Sequence, residues 1–234
     1  MPPVAPYSPE PARGWLPWAW LSPILLILFN ALPVVALDGW MQSRHWSMAN
    51  GDPIGLAGLH ALLWIGFAPC LLLVLAWVRL VERRSLASIG LVGAAPLKTF
   101  LRGMAIGIGT IALVVFVIFL AGGMQVADVG AAWRSPHSLQ QIGLLLLGFS
   151  FQASVEEVMF RGWLLSAVAR RANTAWAVLL VSLAFCLLHY SPHQAPLVVA
   201  GTLLFSLFAC VWALHSGDIW GVMGWHTGWN WLLA

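Results

Sequence analysis

Seven apolar runs, parted by short polar, proline- or glycine-bearing stretches, take up most of the chain. They extend from about Trp15 to Leu37, Leu56 to Leu80, Thr99 to Ala121, Ser138 to beyond Arg161, Thr174 to His189, Ala195 to His215 and Ile219 to Leu233. A helix of about 20 apolar residues crosses a bilayer. In lipid the backbone must satisfy its own hydrogen bonds, which leaves the helix as the natural state of such runs. The pattern predicts an all-α, polytopic membrane helical bundle of about seven transmembrane helices. Pro136, Pro192 and Pro196 fall at joins, where a helix is expected to stop. There is no internal repeat.

Composition strengthens this reading. The chain is 61% hydrophobic and 8% charged, with a mean hydropathy of +0.87, whereas soluble domains carry about 25% charged residues. A water-soluble globule is excluded. Cys70, Cys186 and Cys210 lie in apolar runs and suggest neither a disulfide framework nor a metal site. The start, MPPVAPYSPEPARGWLPWAW, lacks the basic opening and cleavage site of a signal peptide, and its prolines predict a disordered lead-in over 1–14.

Charge supplies an orientation. With the N-terminus in the cytoplasm, threading seven spans places Arg13, Arg79, Arg83, Arg84, Lys98, Arg102, Arg161, Arg170 and Arg171 on that side and only Arg44 and Arg134 on the other. Nine against two predicts N-in by the positive-inside rule. The net charge of +3 is thereby explained without an acidic partner, and the scattered basic residues exclude a nucleic-acid surface. The mixed segment 79–102 is expected along the cytoplasmic interface, and many of the 15 tryptophans near span ends act as interfacial anchors.

Of eight acids, Glu10, Asp38, Asp52, Glu82, Asp128 and Asp218 sit in loops or at span edges, while Glu156 and Glu157 lie together inside GLLLLGFSFQASVEEVMFRGWLL. A charge at bilayer depth costs roughly 2.5–3.5 kcal/mol on insertion scales. Other polar groups are similarly placed: His189 closes one run, and His226 and Asn230, four apart, share a helix face in the last. The cheapest arrangement turns Glu156, Glu157, His189, His226 and Asn230 toward one another. Glu157 and Arg161, also four apart, are in the order that favours an ion pair. Glu156 points about 100° away and stays free to take a proton; Gln152, one turn earlier, could orient it. His193 has metal-ligand spacing from His189, but Pro192 breaks the helix between them.

Three motifs thus stand in order: Glu156-Glu157-x-x-x-Arg161, Phe185-x-x-x-His189 and His226-x-x-x-Asn230. Together with EEVMFRGWLL and the upstream RSLASIGL, they resemble the CAAX protease and bacteriocin-processing (CPBP, or Abi) family of intramembrane endopeptidases. The resemblance covers 138–234 with an echo from about residue 83, and sets a catalytic core (138–234) after N-terminal transmembrane helices (15–137). It implies an intramembrane protease in which Glu156 and His189 activate water, His226 and Asn230 hold it or stabilise the oxyanion, and Glu157 and Arg161 support the site. It implies no cofactor; a zinc-dependent version of the same protease would use Glu156, His189 and His226. The implied partner is a membrane-associated protein or peptide, with maturation or sorting of a bacterial secreted or membrane-anchored protein at the plasma membrane as the expected role. A proton-coupled transporter would also use buried Glu and His, but the halves repeated in many transporters are absent. A non-catalytic scaffold would keep the cluster for packing alone.

Overall fold

The computed structural model describes residues 6–126 and 130–233, with no description of the Ala131 side chain. Asp128 and the first five residues of the lead-in lie outside the described residues. The apolar runs form seven helices: α1 (Leu21–Ser43), α2 (Gly55–Val81), α3 (Pro96–Leu120), α4 (Pro136–Arg171), α5 (Thr174–Leu188), α6 (Pro196–Ser216) and α7 (Trp220–Leu233). The protein is an all-α membrane bundle. Five helices are long and apolar enough to cross a membrane, while α5 and α7 have 15 and 14 residues, about 22 and 21 Å of rise.

Helix ends follow local chemistry. Pro136 and Pro196 stand at joins as expected, yet each opens its helix, as does Pro96. A first-turn N–H has no intrahelical partner to lose. Ser135 Oγ and Asn173 Oδ1 accept from Ser138 N at 3.2 Å and Trp176 N at 2.9 Å, capping α4 and α5. The first helix begins six residues later than its apolar run and ends at Ser43. Pro17 restrains the residues around it, and the Leu16 carbonyl is occupied by the Arg171 side chain.

The expected disorder of the lead-in requires correction where residues are described. Tyr7 Oη donates to the Arg161 carbonyl at 2.6 Å, and Arg170 donates to the carbonyls of Ser8 at 2.5 Å and Glu10 at 2.8 Å. Gly14 N and Trp15 N bond the Glu82 and Val81 carbonyls. Proline's fixed φ keeps the strap extended, and the arginines ending α4 supply its donors.

Around α4 the core is built from Met159, Phe160, Trp163, Leu164, Leu165 and Val168, all buried. From Val158 to Leu164 its winding widens to a π-helix. α7 lies against α3 through glycines: a Cβ on Gly103 or Gly107 would strike the backbone oxygens of Gly221 or Trp225, and one on Gly224 or Gly228 those of Phe100 or Met104. Small residues let helix backbones approach this closely in membranes.

A second correction concerns Glu82 and Arg84, expected in an interfacial loop but buried at 0% and 2% exposure. Arg84 Nε meets Glu82 Oε2 at 2.5 Å, while Glu82 Oε1 accepts from Trp77 Nε1 at 2.9 Å and Trp163 Nε1 at 2.7 Å. The three donors on the Glu82 carboxylate offset part of the cost of taking the pair out of water.

Candidate active site

Two helices and the residue closing a third place the candidate groups. Glu156 and Glu157 end the regular α-helical part of α4, His189 caps α5, and His226 and Asn230 stand on α7. The structure brings all of them together. Glu156 Oε2 is 3.9 Å from His189 Nε2 and 3.7 Å from His226 Nε2. Its other oxygen, Oε1, accepts from Gln152 Nε2 at 2.7 Å, and Gln152 Oε1 accepts from Asn230 Nδ2 at 3.1 Å. An ionised carboxylate can only accept, so this chain of bonds fixes the Gln152 amide with its NH₂ toward Glu156. Asn230, expected beside the histidines, is thereby tied first to Gln152; its second Nδ2 hydrogen remains for another acceptor.

Glu157 takes a different place. Its Oε1 receives both Arg161 NH1 at 2.9 Å and His226 Nδ1 at 2.7 Å, and the Glu157 and Arg161 side chains are fully buried. The Glu157–Arg161 pair is where the spacing put it, and the pair also reaches across to α7. The Arg161 guanidinium lies 4.5 Å over the Phe185 ring, which stacks on His189 at 4.2 Å between centroids. Those contacts explain why phenylalanine stands one turn before His189, a position the motif marked without a role.

Ring tautomers follow from the partners. His226 Nδ1 faces a carboxylate and His189 Nδ1 faces the Phe185 carbonyl at 2.9 Å, so in each neutral ring Nδ1 carries the hydrogen and Nε2 presents a lone pair. Three acceptors therefore converge: two imidazole nitrogens and a carboxylate oxygen that has no hydrogen-bond partner of its own. Such a constellation suits a small donor or a cation. Tetrahedral zinc, with ligands at about 2.0–2.1 Å, sets them about 3.3 Å apart. Separations of 3.7 and 3.9 Å are wider, and no group of three His, Cys, Asp or Glu is placed to hold a metal ion among the described residues. The donor types suit zinc; the spacing does not.

The cluster opens on a cavity of about 620 Å³, walled by Phe185, Phe205, Phe208, Trp225 and Trp229 with His189, His226 and Asn230 at its polar end. Glu156 is 6% exposed, whereas the His189 side chain is 39% exposed and can meet a ligand entering there. The arrangement offers a buried carboxylate, two imidazoles and an apolar slot.

No curated protein and no solved structure matches the chain significantly. Residues 138–232 match the model of the family described as type II CAAX prenyl endopeptidase Rce1-like. That segment holds every residue of the cluster: residues 138–232 carry an Rce1-like domain, consistent with the CPBP family of CAAX-type intramembrane proteases.

Proposed function

We propose that the protein hydrolyses a peptide bond near the membrane end of a protein or peptide substrate, with Glu156 as the general base. One observation carries this reading: the unpartnered Glu156 Oε2 faces two imidazole lone pairs at the polar end of an apolar cavity. Water is the donor that such a set would hold. Glu156 takes one proton from it, with His189 accepting the other hydrogen, and the water oxygen adds to the scissile carbonyl. The remaining Asn230 Nδ2 hydrogen faces the oxyanion. As the C–N bond breaks, the proton on Glu156 passes to the leaving amine. His226, held by Glu157 and Arg161, walls the site beside Glu156 Oε2. General-base assistance of this type contributes about 10²–10⁴-fold in rate.

The cavity's aromatic walls favour an apolar, membrane-proximal segment. We infer maturation or sorting of a bacterial secreted or membrane-anchored protein, in the inner membrane with the N-terminus cytoplasmic. Candidate substrates co-expressed with the wild type and with Glu156→Gln test this. Cleavage is expected to be lost in the variant while the uncut substrate co-purifies with it, and terminal sequencing of the wild-type products locates the cut. Unchanged cleavage by Glu156→Gln would refute the glutamate mechanism.

A further inference from the structure

At the end of the bundle that carries the N-terminus lies a second, polar cavity of about 430 Å³, lined by Glu10, Arg13, Arg79, Arg83, Arg84 and Ser85. Four guanidiniums there face one carboxylate. Arg13, Arg79 and Arg83 are exposed and make no ion pair among the described residues. Scattered basic residues at a span end are ordinary in membrane proteins; the wall of this cavity is not. Arg84 is 2% exposed. Its Nε is bonded to Glu82 and its NH1 to Ser166 Oγ at 2.9 Å, yet its NH2 has no partner, and neither has the buried Ser85 Oγ. Buried donors without acceptors are destabilising, more so when charged.

Backbone geometry presents the two neighbouring arginines differently to this one cavity. Arg83 has φ 51, a left-handed conformation uncommon outside glycine, and it stands exposed while Arg84 is buried. A guanidinium fork matches phosphate oxygens, and basic pockets near a membrane face capture lipid headgroups. We propose that this cavity binds a phosphate-bearing anion. Its position beside the end of a membrane-spanning helix suits an anionic phospholipid headgroup, and soluble phosphate shares the same chemistry. Arg84 and its partner Ser166 connect the cavity to α4, the helix that carries Glu156. Burial lowers the Arg84 pKa from its ordinary value, opposed by the Glu82 carboxylate, and a bound anion would help keep the charge.

The experiment uses the full chain in neutral detergent, titrated separately with phosphatidylglycerol, phosphatidylcholine and inorganic phosphate, and read by thermal melting and native mass spectrometry. Phosphatidylglycerol is expected to bind and raise the melting temperature, while phosphatidylcholine does neither. Arg79→Gln with Arg83→Gln is expected to weaken binding about 25-fold, about fivefold per arginine. Stabilisation by inorganic phosphate as well assigns the site to any phosphate; stabilisation by the lipid alone assigns it to the headgroup. Binding by the double variant equal to wild type, or no ligand-induced shift in the wild type, overturns the proposal. Melting in phosphatidylcholine checks that the variant folds; should it not, Arg13→Gln in the exposed strap gives the same reading.

Discussion

Glu157 Oε1 is the meeting point of two helices, since Arg161 and His226 both donate to it. Truncating the arginine would leave a fully buried carboxylate with one partner. Arg161→Met is expected to destabilise the protein by about 3–5 kcal/mol, the range for breaking a buried pair from one side, seen as a lower melting temperature in detergent. Arg161→Lys recovers part of this, since an ammonium supplies charge without the planar fork that stacks on Phe185. Equal melting of wild type and Arg161→Met would remove the pair's structural role. Gln152→Ala acts more narrowly, freeing Glu156 Oε1 and cutting the link to Asn230. Under the proposed mechanism, losing this positioning predicts a kcat about tenfold lower with KM unchanged, within the cost of a misplaced catalytic group; a change confined to KM would make Gln152 a binding residue instead. Cleavage is expected to survive EDTA and phenanthroline; loss restored by zinc would move the reading to the metal-dependent version. Glu156, His189 and His226 were legible in the sequence because charge and imidazole are expensive in an apolar run. Glu82 was not, because its burial depends on Trp163, 81 residues away, and on a turn that no periodicity announces.

Helix packing fixes where His226 stands. α7 reaches α3 through Gly224 and Gly228 on one side and Gly103 and Gly107 on the other, so two residues before and two after His226 are held by close backbone contact. Gly224→Ala would drive a methyl group into the Phe100 carbonyl. Because the obstacle is backbone, the helix itself must shift, at a cost of about 1–3 kcal/mol. Cleavage is expected to fall more than melting temperature does, since a displacement of about 1 Å at a catalytic group costs about 10²-fold. Full activity in Gly224→Ala would show that α7's closeness to α3 does not set the site. The seven helices were readable from apolar runs, but this contact was not. Hydropathy gives every membrane helix an apolar face and does not say which glycines meet a neighbour's backbone. The late start of α1 was hidden for a similar reason, since Trp15 to Trp20 is apolar enough for a helix and is diverted by Pro17 and the Arg171 contact.

Across the whole molecule, depth and charge must agree. α4 has 36 residues, about 54 Å of rise, so it projects well beyond a hydrocarbon core of about 30 Å. The end that projects carries Arg170 and Arg171, and α5 starts there and reaches His189 after about 22 Å. A short α5 is therefore suited to delivering an imidazole to the bilayer interior, beside Glu156. Arg161 lies buried in the core and no longer counts toward orientation, so eight basic residues remain on the N-terminal side against Arg44 and Arg134. The bias still favours a cytoplasmic N-terminus. Single cysteines at Asn50, between α1 and α2, and at Arg83, after α2, test it in a version lacking Cys70, Cys186 and Cys210. A membrane-impermeant thiol reagent applied to intact cells is expected to label position 50 and to reach position 83 only after the membrane is opened. The reverse pattern would turn the bundle over, move the arginine-lined cavity to the outer surface, and leave the anionic lipids of the cytoplasmic leaflet out of its reach.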